Sequence, residues 1–148
     1  MSYQEKRSIA NVVSSLLVVT IYGLFVFRRL QDGGMAQLND FAFWGRVFLL
    51  LVPLTIATHI VVMIFFTIFY QVTTNEEGPS FSDERDKLIE LKSLKNSHWV
   101  FAFAFFLAMA SQAVGMPPFV MFLTFILGGT VSEVVEGISQ LVLYRRGV

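Results

Sequence analysis

Four stretches of this chain run almost free of charge, and short clusters of Lys, Arg, Asp and Glu separate most of them. They cover about 9–27, 43–70, 97–114 and 118–144. A helix of about 20 apolar residues crosses ~30 Å of hydrocarbon, and lipid offers the backbone no other partner for its hydrogen bonds. The pattern predicts an all-α fold, an integral membrane bundle of four transmembrane helices in a single domain over 1–148. The first stretch carries Asn11, Ser14, Ser15 and Thr20, and the second carries Arg46, Pro53, Thr58 and His59.

The connections differ in kind. Residues 31–40 form a short polar loop broken by Gly33-Gly34, and 111–118 form a turn without charge. The largest polar segment, 71–96, holds its own helix signals. Gly78-Pro79 ends whatever precedes it. Ser82 then offers an N-cap hydroxyl, with Asp83 and Glu84 in a first turn where the helix dipole favours negative charge. Asp83 is placed to pair with Lys87 at i,i+4, while Leu88, Leu91 and Leu94 fall near one face. No breaker follows, so one continuous helix is expected from about 82 to 114. Its first part, about 82–96, is expected to extend into the cytoplasm and to present Arg85, Asp86, Lys87, Glu90 and Lys92 to a partner.

Composition strengthens the membrane reading. Charged residues make up 15% of the chain, where a soluble domain carries about 25%, and 55% of the residues are apolar. Formal net charge is zero, which removes the electrostatic case for direct nucleic-acid binding. Cysteine is absent, so disulfides, thiol catalysis and thiolate metal sites are excluded. The basic-then-apolar N-terminus is expected to stay as a helix. Its apolar run is longer than a signal peptide's, and no small-x-small site closes it before Arg28 and Arg29.

Orientation follows from the basic residues. Lys6, Arg7, Arg85, Lys87, Lys92, Lys95, Arg145 and Arg146 fall on one side of a four-span topology, and Arg28, Arg29 and Arg46 on the other. That bias predicts a multi-pass protein of the cell inner membrane with both termini cytoplasmic. Trp44, Trp99, Tyr22, Tyr70 and Tyr144 are expected as anchors at the membrane interfaces.

The fourth stretch carries the candidate chemistry. Glu133 and Glu136 share a helical face that Gly129 and Gln140 extend. With Arg145 at the headgroups, Glu136 lies roughly 13 Å deeper and Glu133 near the bilayer centre. An acid at that depth costs at least about 2.5 kcal/mol, so both should face protein or water. His59, and Asn11, Ser14 and Ser15 of the first stretch, are the candidate partners. Three roles suit the carboxylates: helix-packing glue, a proton or cation site in a small transporter, or metal ligation with His59 and a remote His98. Glu-x-x-Glu with one distant His is a poor metal signature, so no metal site is assigned. Gly128, Gly129, Ser132 and Gly137 leave room for a close neighbour, which makes this helix a candidate homodimer seam. No nucleotide-binding, nucleophile-elbow or zincin motif occurs, so neither a cofactor nor an enzymatic reaction is expected.

The run Ser82-Asp-Glu-Arg-Asp-Lys-Leu-Ile-Glu-Leu-Lys-Ser before a span, with the ending Leu141-Val-Leu-Tyr-Arg-Arg-Gly147, resembles a family of small prokaryotic four-helix membrane proteins. The resemblance covers roughly residues 80–148, and the family has no assigned reaction. Its members are often encoded beside a small helix-turn-helix regulator. The resemblance therefore implies a membrane-embedded binding or regulatory protein that controls a cytoplasmic transcription regulator. A proton- or cation-coupled transporter using the glutamates is the alternative. The family pattern assigns no role to Glu133 or Glu136.

Overall fold

A computed structural model describes residues 3–74 and 83–146. Among them are four α-helices and no strand: α1 (Tyr3–Gly33), α2 (Phe41–Thr74), α3 (Glu84–Ala113) and α4 (Pro118–Arg146), with a short 3-10 turn, Met35–Asn39, between the first two. Three of the helices, α1, α2 and α4, are long and apolar enough to cross a membrane. Their 31, 34 and 29 residues correspond to rods of about 44–51 Å, well beyond the hydrocarbon thickness. α3 is as long, but its apolar run, Trp99 to Ala110, covers only about 18 Å between His98 and Ser111. The structure thus shows three candidate spans where the charge pattern predicts four.

Local chemistry accounts for the helix ends. α3 starts from a capping box, with Asp83 as the N-cap in place of the expected Ser82. The Asp83 carboxylate accepts from the Glu84 N–H at 2.7 Å, and the Asp86 carboxylate accepts from the Asp83 N–H at 3.3 Å. Ser82 and the Gly78-Pro79 break lie outside the described residues. At its far end α3 closes in a Schellman arrangement: the Met116 N–H donates to the Ser111 carbonyl and the Gly115 N–H to that of Gln112. Gly115 takes φ 78, which a side chain would resist. Pro117 and Pro118 follow, and Pro118 opens α4, where a missing N–H is no loss.

Adjacent helices run antiparallel, in the spatial order α2, α1, α4, α3, with α3 and α4 the most extensively packed pair. Buried positions on α3 recur every three or four residues: Ile89, Ser93, Ser97, then Ala104, Ala108 and Ser111. All but Ile89 are small, so the backbones approach closely, and a Cβ added at Gly128 would meet the Cβ of Ala104. Three buried hydroxyls are satisfied within their own helices, Ser93 by the Glu90 carbonyl, Ser111 by Ala108 and Ser132 by Gly129, while Ser97 hydrogen-bonds the Glu136 side chain of α4. Gly137 packs against Val12 and Ser8 of α1. The small residues of α4 expected as a dimer seam are therefore occupied within the chain at Gly128 and Gly137.

A second apolar cluster closes the end nearest the α1–α2 connection. Tyr22, Val26, Trp44 and Val47 are buried there, with Phe119, Phe122 and Ile126 of α4 against them. Trp44 stacks on Phe122 with ring centroids 5.3 Å apart and donates to the Leu38 carbonyl at 2.8 Å. The Tyr22 hydroxyl donates to the Val47 carbonyl at 2.8 Å. These two rings, expected as interface anchors, are core residues instead, because α1, α2 and α4 converge on them. Trp99 by contrast is exposed.

Candidate functional site

α2 and α4 touch at one end only. The ring contacts between them, Phe41, Trp44 and Phe48 against Phe122 and Phe125, all precede Pro53. Pro53 removes a backbone donor and crowds the carbonyl four residues earlier, which favours a bend at that level. Beyond it a cleft separates the two helices, with α1 as its floor.

Three helices contribute polar side chains to this cleft, each through an i,i+4 pair on one face. α1 gives Asn11 and Ser15, α2 gives Thr55 and His59, and α4 gives Glu136 and Gln140. Together with Ser14, Glu133, Ile56 and Ile60 they line a cavity of about 330 Å³. The structure thus brings the four intramembrane polar residues singled out above, Glu133, Glu136, Gln140 and His59, to one place. Glu136 is half-buried, while Glu133 and His59 are exposed toward the open side of the cleft. The hydroxyls of Ser15 and Thr55 donate to carbonyls of their own helices, Asn11 and Leu51, which leaves oxygen lone pairs for the cavity. Gln140 is held by Ser8, whose hydroxyl donates to its Oε1 at 3.2 Å. The Oδ1 atom of Asn11 is buried without a hydrogen-bond partner.

The cavity continues in both directions. Toward the chain termini it shares Asn11, His59, Glu136 and Gln140 with a strongly polar space of about 250 Å³, which Arg7, Asp86, Glu90 and Tyr144 complete. There Asp86 accepts from Gln4 Nε2 at 3.2 Å and from the Tyr144 hydroxyl at 3.0 Å, tying α1, α3 and α4 together. Toward the middle of the bundle it shares Ser15, Thr55, Ile56 and Glu133 with a mainly apolar space of about 330 Å³, walled by Phe48, Phe101 and Phe125. That apolar space in turn shares Val19, Leu51 and Ile126 with a larger apolar pocket of about 770 Å³, which Tyr22, Val26 and Trp44 help to line. Beyond the Tyr22–Val26–Trp44–Val47 cluster, a pocket of about 430 Å³ lined by Arg29, Asp32, Asp40 and Arg46 shares Tyr22 and Val26 with that larger pocket.

The five residues expected to face a partner do not share a face. Asp86 turns inward, Arg85 donates to the Tyr144 carbonyl at 3.5 Å, and Glu90 lines the polar space; Lys87 and Lys92 point outward. Nor does the charged half of α3 stand free of the bundle. Asn96 donates to Ser139 and Asp86 is bonded to Tyr144, so it lies along the last turns of α4. His59, Glu133 and Glu136 line one cavity, but among the described residues no group of three His, Asp or Glu side chains comes within reach of a common metal ion. His98 lies outside the cavity.

Thr55, Arg7, Glu90 and Tyr144 were not anticipated as lining residues. The i,i+4 polar pairs were a usable signal for Thr55, since two polar groups on one face of an apolar helix demand a common environment. No local signal marks Arg7, Glu90 or Tyr144, which meet through tertiary packing alone. No protein-family model matches this chain, and comparison with curated proteins and with solved structures finds no match.

Proposed function

We propose that this chain is a small multi-pass membrane protein that binds a cation or proton in the cleft and passes it toward the membrane interior, as a cation- or proton-coupled transporter does. One observation carries the reading. A polar path runs from the charged end of the bundle to two carboxylates among apolar helices, and opens there onto apolar space. Ionisable residues at membrane depth are costly and are retained where they face a pathway or site.

In this reading all four helices cross the bilayer. α3 is embedded despite its short apolar run, because its outward face carries Phe103, Phe106 and Leu107, all exposed, and its inward face is matched to α4. The end that gathers Lys6, Arg7, Arg85, Lys87, Lys92, Lys95, Arg145 and Arg146 is cytoplasmic by the excess of basic residues there. The chemistry is binding and transfer of charge, with no covalent step.

The test is flux of protons and of alkali cations into liposomes holding the purified chain, wild type beside the Glu133→Gln/Glu136→Gln double variant. Flux in the wild type and its loss in a folded double variant is the expected result; no flux from either protein sinks the proposal.

A second reading is favoured by one feature. Leu88, Leu91 and Leu94 are exposed beside Lys87, Lys92 and Lys95, which supplies a surface for the cytoplasmic regulator implied by the family resemblance. Under it, Lys87→Glu with Lys92→Glu abolishes capture of the regulator, while the glutamate variants do not.

A further inference from the structure

The geometry points to the class of ligand that the cleft takes: an aromatic or otherwise amphiphilic organic monocation that enters sideways from the lipid. The inference rests on the transport reading and narrows it.

Glu133 stands where the polar and apolar halves of the cleft meet, since it lines both. On one side of it are Asn11, His59, Glu136 and Gln140. On the other are Phe48, Phe101 and Phe125 with Leu51, Val52 and Ile126. A bare ion uses only the first set. A cation with an apolar body uses both. Its charge meets a carboxylate in a low-dielectric setting, and its rings lie against Phe faces that attract positive charge. Two joined spaces of about 330 Å³ each fall in the range that holds drug-sized molecules.

Access is lateral. Ile56, Ile60, His59 and Glu133 line the cleft and are also exposed on the outside of the bundle. The mouth therefore opens between α2 and α4, at a level where apolar helices face hydrocarbon. A molecule that partitions into the bilayer reaches Glu133 without crossing the charged terminal end.

Gly129 supplies a steric control. It lines the apolar half, and a Cβ added there meets nothing within 4 Å. A larger residue at this position fills the cavity without forcing helices apart.

The experiment is equilibrium binding of radiolabelled tetraphenylphosphonium to the full-length protein in detergent and in lipid nanodiscs. Wild type is compared with Glu133→Gln, Gly129→Leu and, as an outward control, Lys92→Gln, each checked for helicity and elution volume. Saturable binding to the wild type is expected, weakened about tenfold or more by Glu133→Gln and by Gly129→Leu and unchanged by Lys92→Gln. Absence of saturable binding, or binding that neither cleft variant alters, overturns the inference. If carboxylate-dependent proton or alkali-cation flux persists in that case, only the ligand class is wrong; if flux is absent too, the transport reading falls with it. A wild type that binds nothing but elutes as a dimer, dissociated by Gly129→Leu, places a second copy in the cleft and also overturns it.

Discussion

α4 meets α3 and α2 in opposite ways, and the contrast explains where the cleft comes from. Against α3 it presents Gly128 and Ser132 to a ladder of Ser and Ala, and the two helices close on each other along their length. Against α2 it presents Phe122 and Phe125, which meet Trp44 and Phe48 at one end and act as a wedge. In lipid no hydrophobic force drives helices together, so side-chain size at the seam decides whether they close or part. Small residues make a dry contact, while large rings at one end, followed by Pro53, leave room for polar groups further on. The same helix thereby serves as a rigid wall on one side and a site on the other.

The sharpest way to break this comparison uses two adjacent glycines. Gly128→Leu forces α3 away from α4 and is expected to destabilise the protein by about 3 kcal/mol, read as loss of thermal stability in detergent. Ala104→Gly in the same chain should recover part of it. Gly129→Leu, one residue on but facing the cavity, should leave stability nearly unchanged; equal losses at both positions would mean that the cleft is already filled.

Water access separates the two sides next. The chain has no cysteine, so single Cys probes carry no background. Thr55→Cys and Gln140→Cys are expected to react with a charged thiol reagent roughly tenfold faster than Ala108→Cys in the α3–α4 seam. Comparable rates would dissolve the distinction between wet cleft and dry seam.

Smaller effects test the two ends of the cleft. At the terminal end, Asp86→Ala removes half of the α3 capping box and the bonds from Gln4 and Tyr144, and about 1–2 kcal/mol of stability should go with them. At the aromatic cluster, Tyr22→Phe removes a single buried hydrogen bond to Val47 and should cost about 1 kcal/mol by the same thermal measurement.

Much of this arrangement was legible along the chain. Long uncharged runs in α1, α2 and α4 have one solution in lipid, a helix, because nothing else satisfies the backbone. The continuity of α3 followed from the acidic first turn and the lack of a breaker before Val114, with the cap falling at Asp83. Glu133, Glu136 and Gln140 were marked by their spacing within an apolar run, since acids there need company. What no single helix reveals is which neighbour each face meets. Asp86 and Glu90 looked like parts of an exposed charged surface, and Trp44 and Tyr22 looked like interfacial rings. Packing turned Asp86, Trp44 and Tyr22 inward and left Glu90 exposed at the edge of the polar space, because a helix's polar and aromatic residues take their environment from the helices beside it. The positions of the acids along α4 were set by the sequence itself, through the 1.5 Å rise of a helix. That they open onto a cleft shared with His59, Asn11 and three phenylalanines was decided only by tertiary structure, where small residues close one seam of α4 and large ones prop open the other.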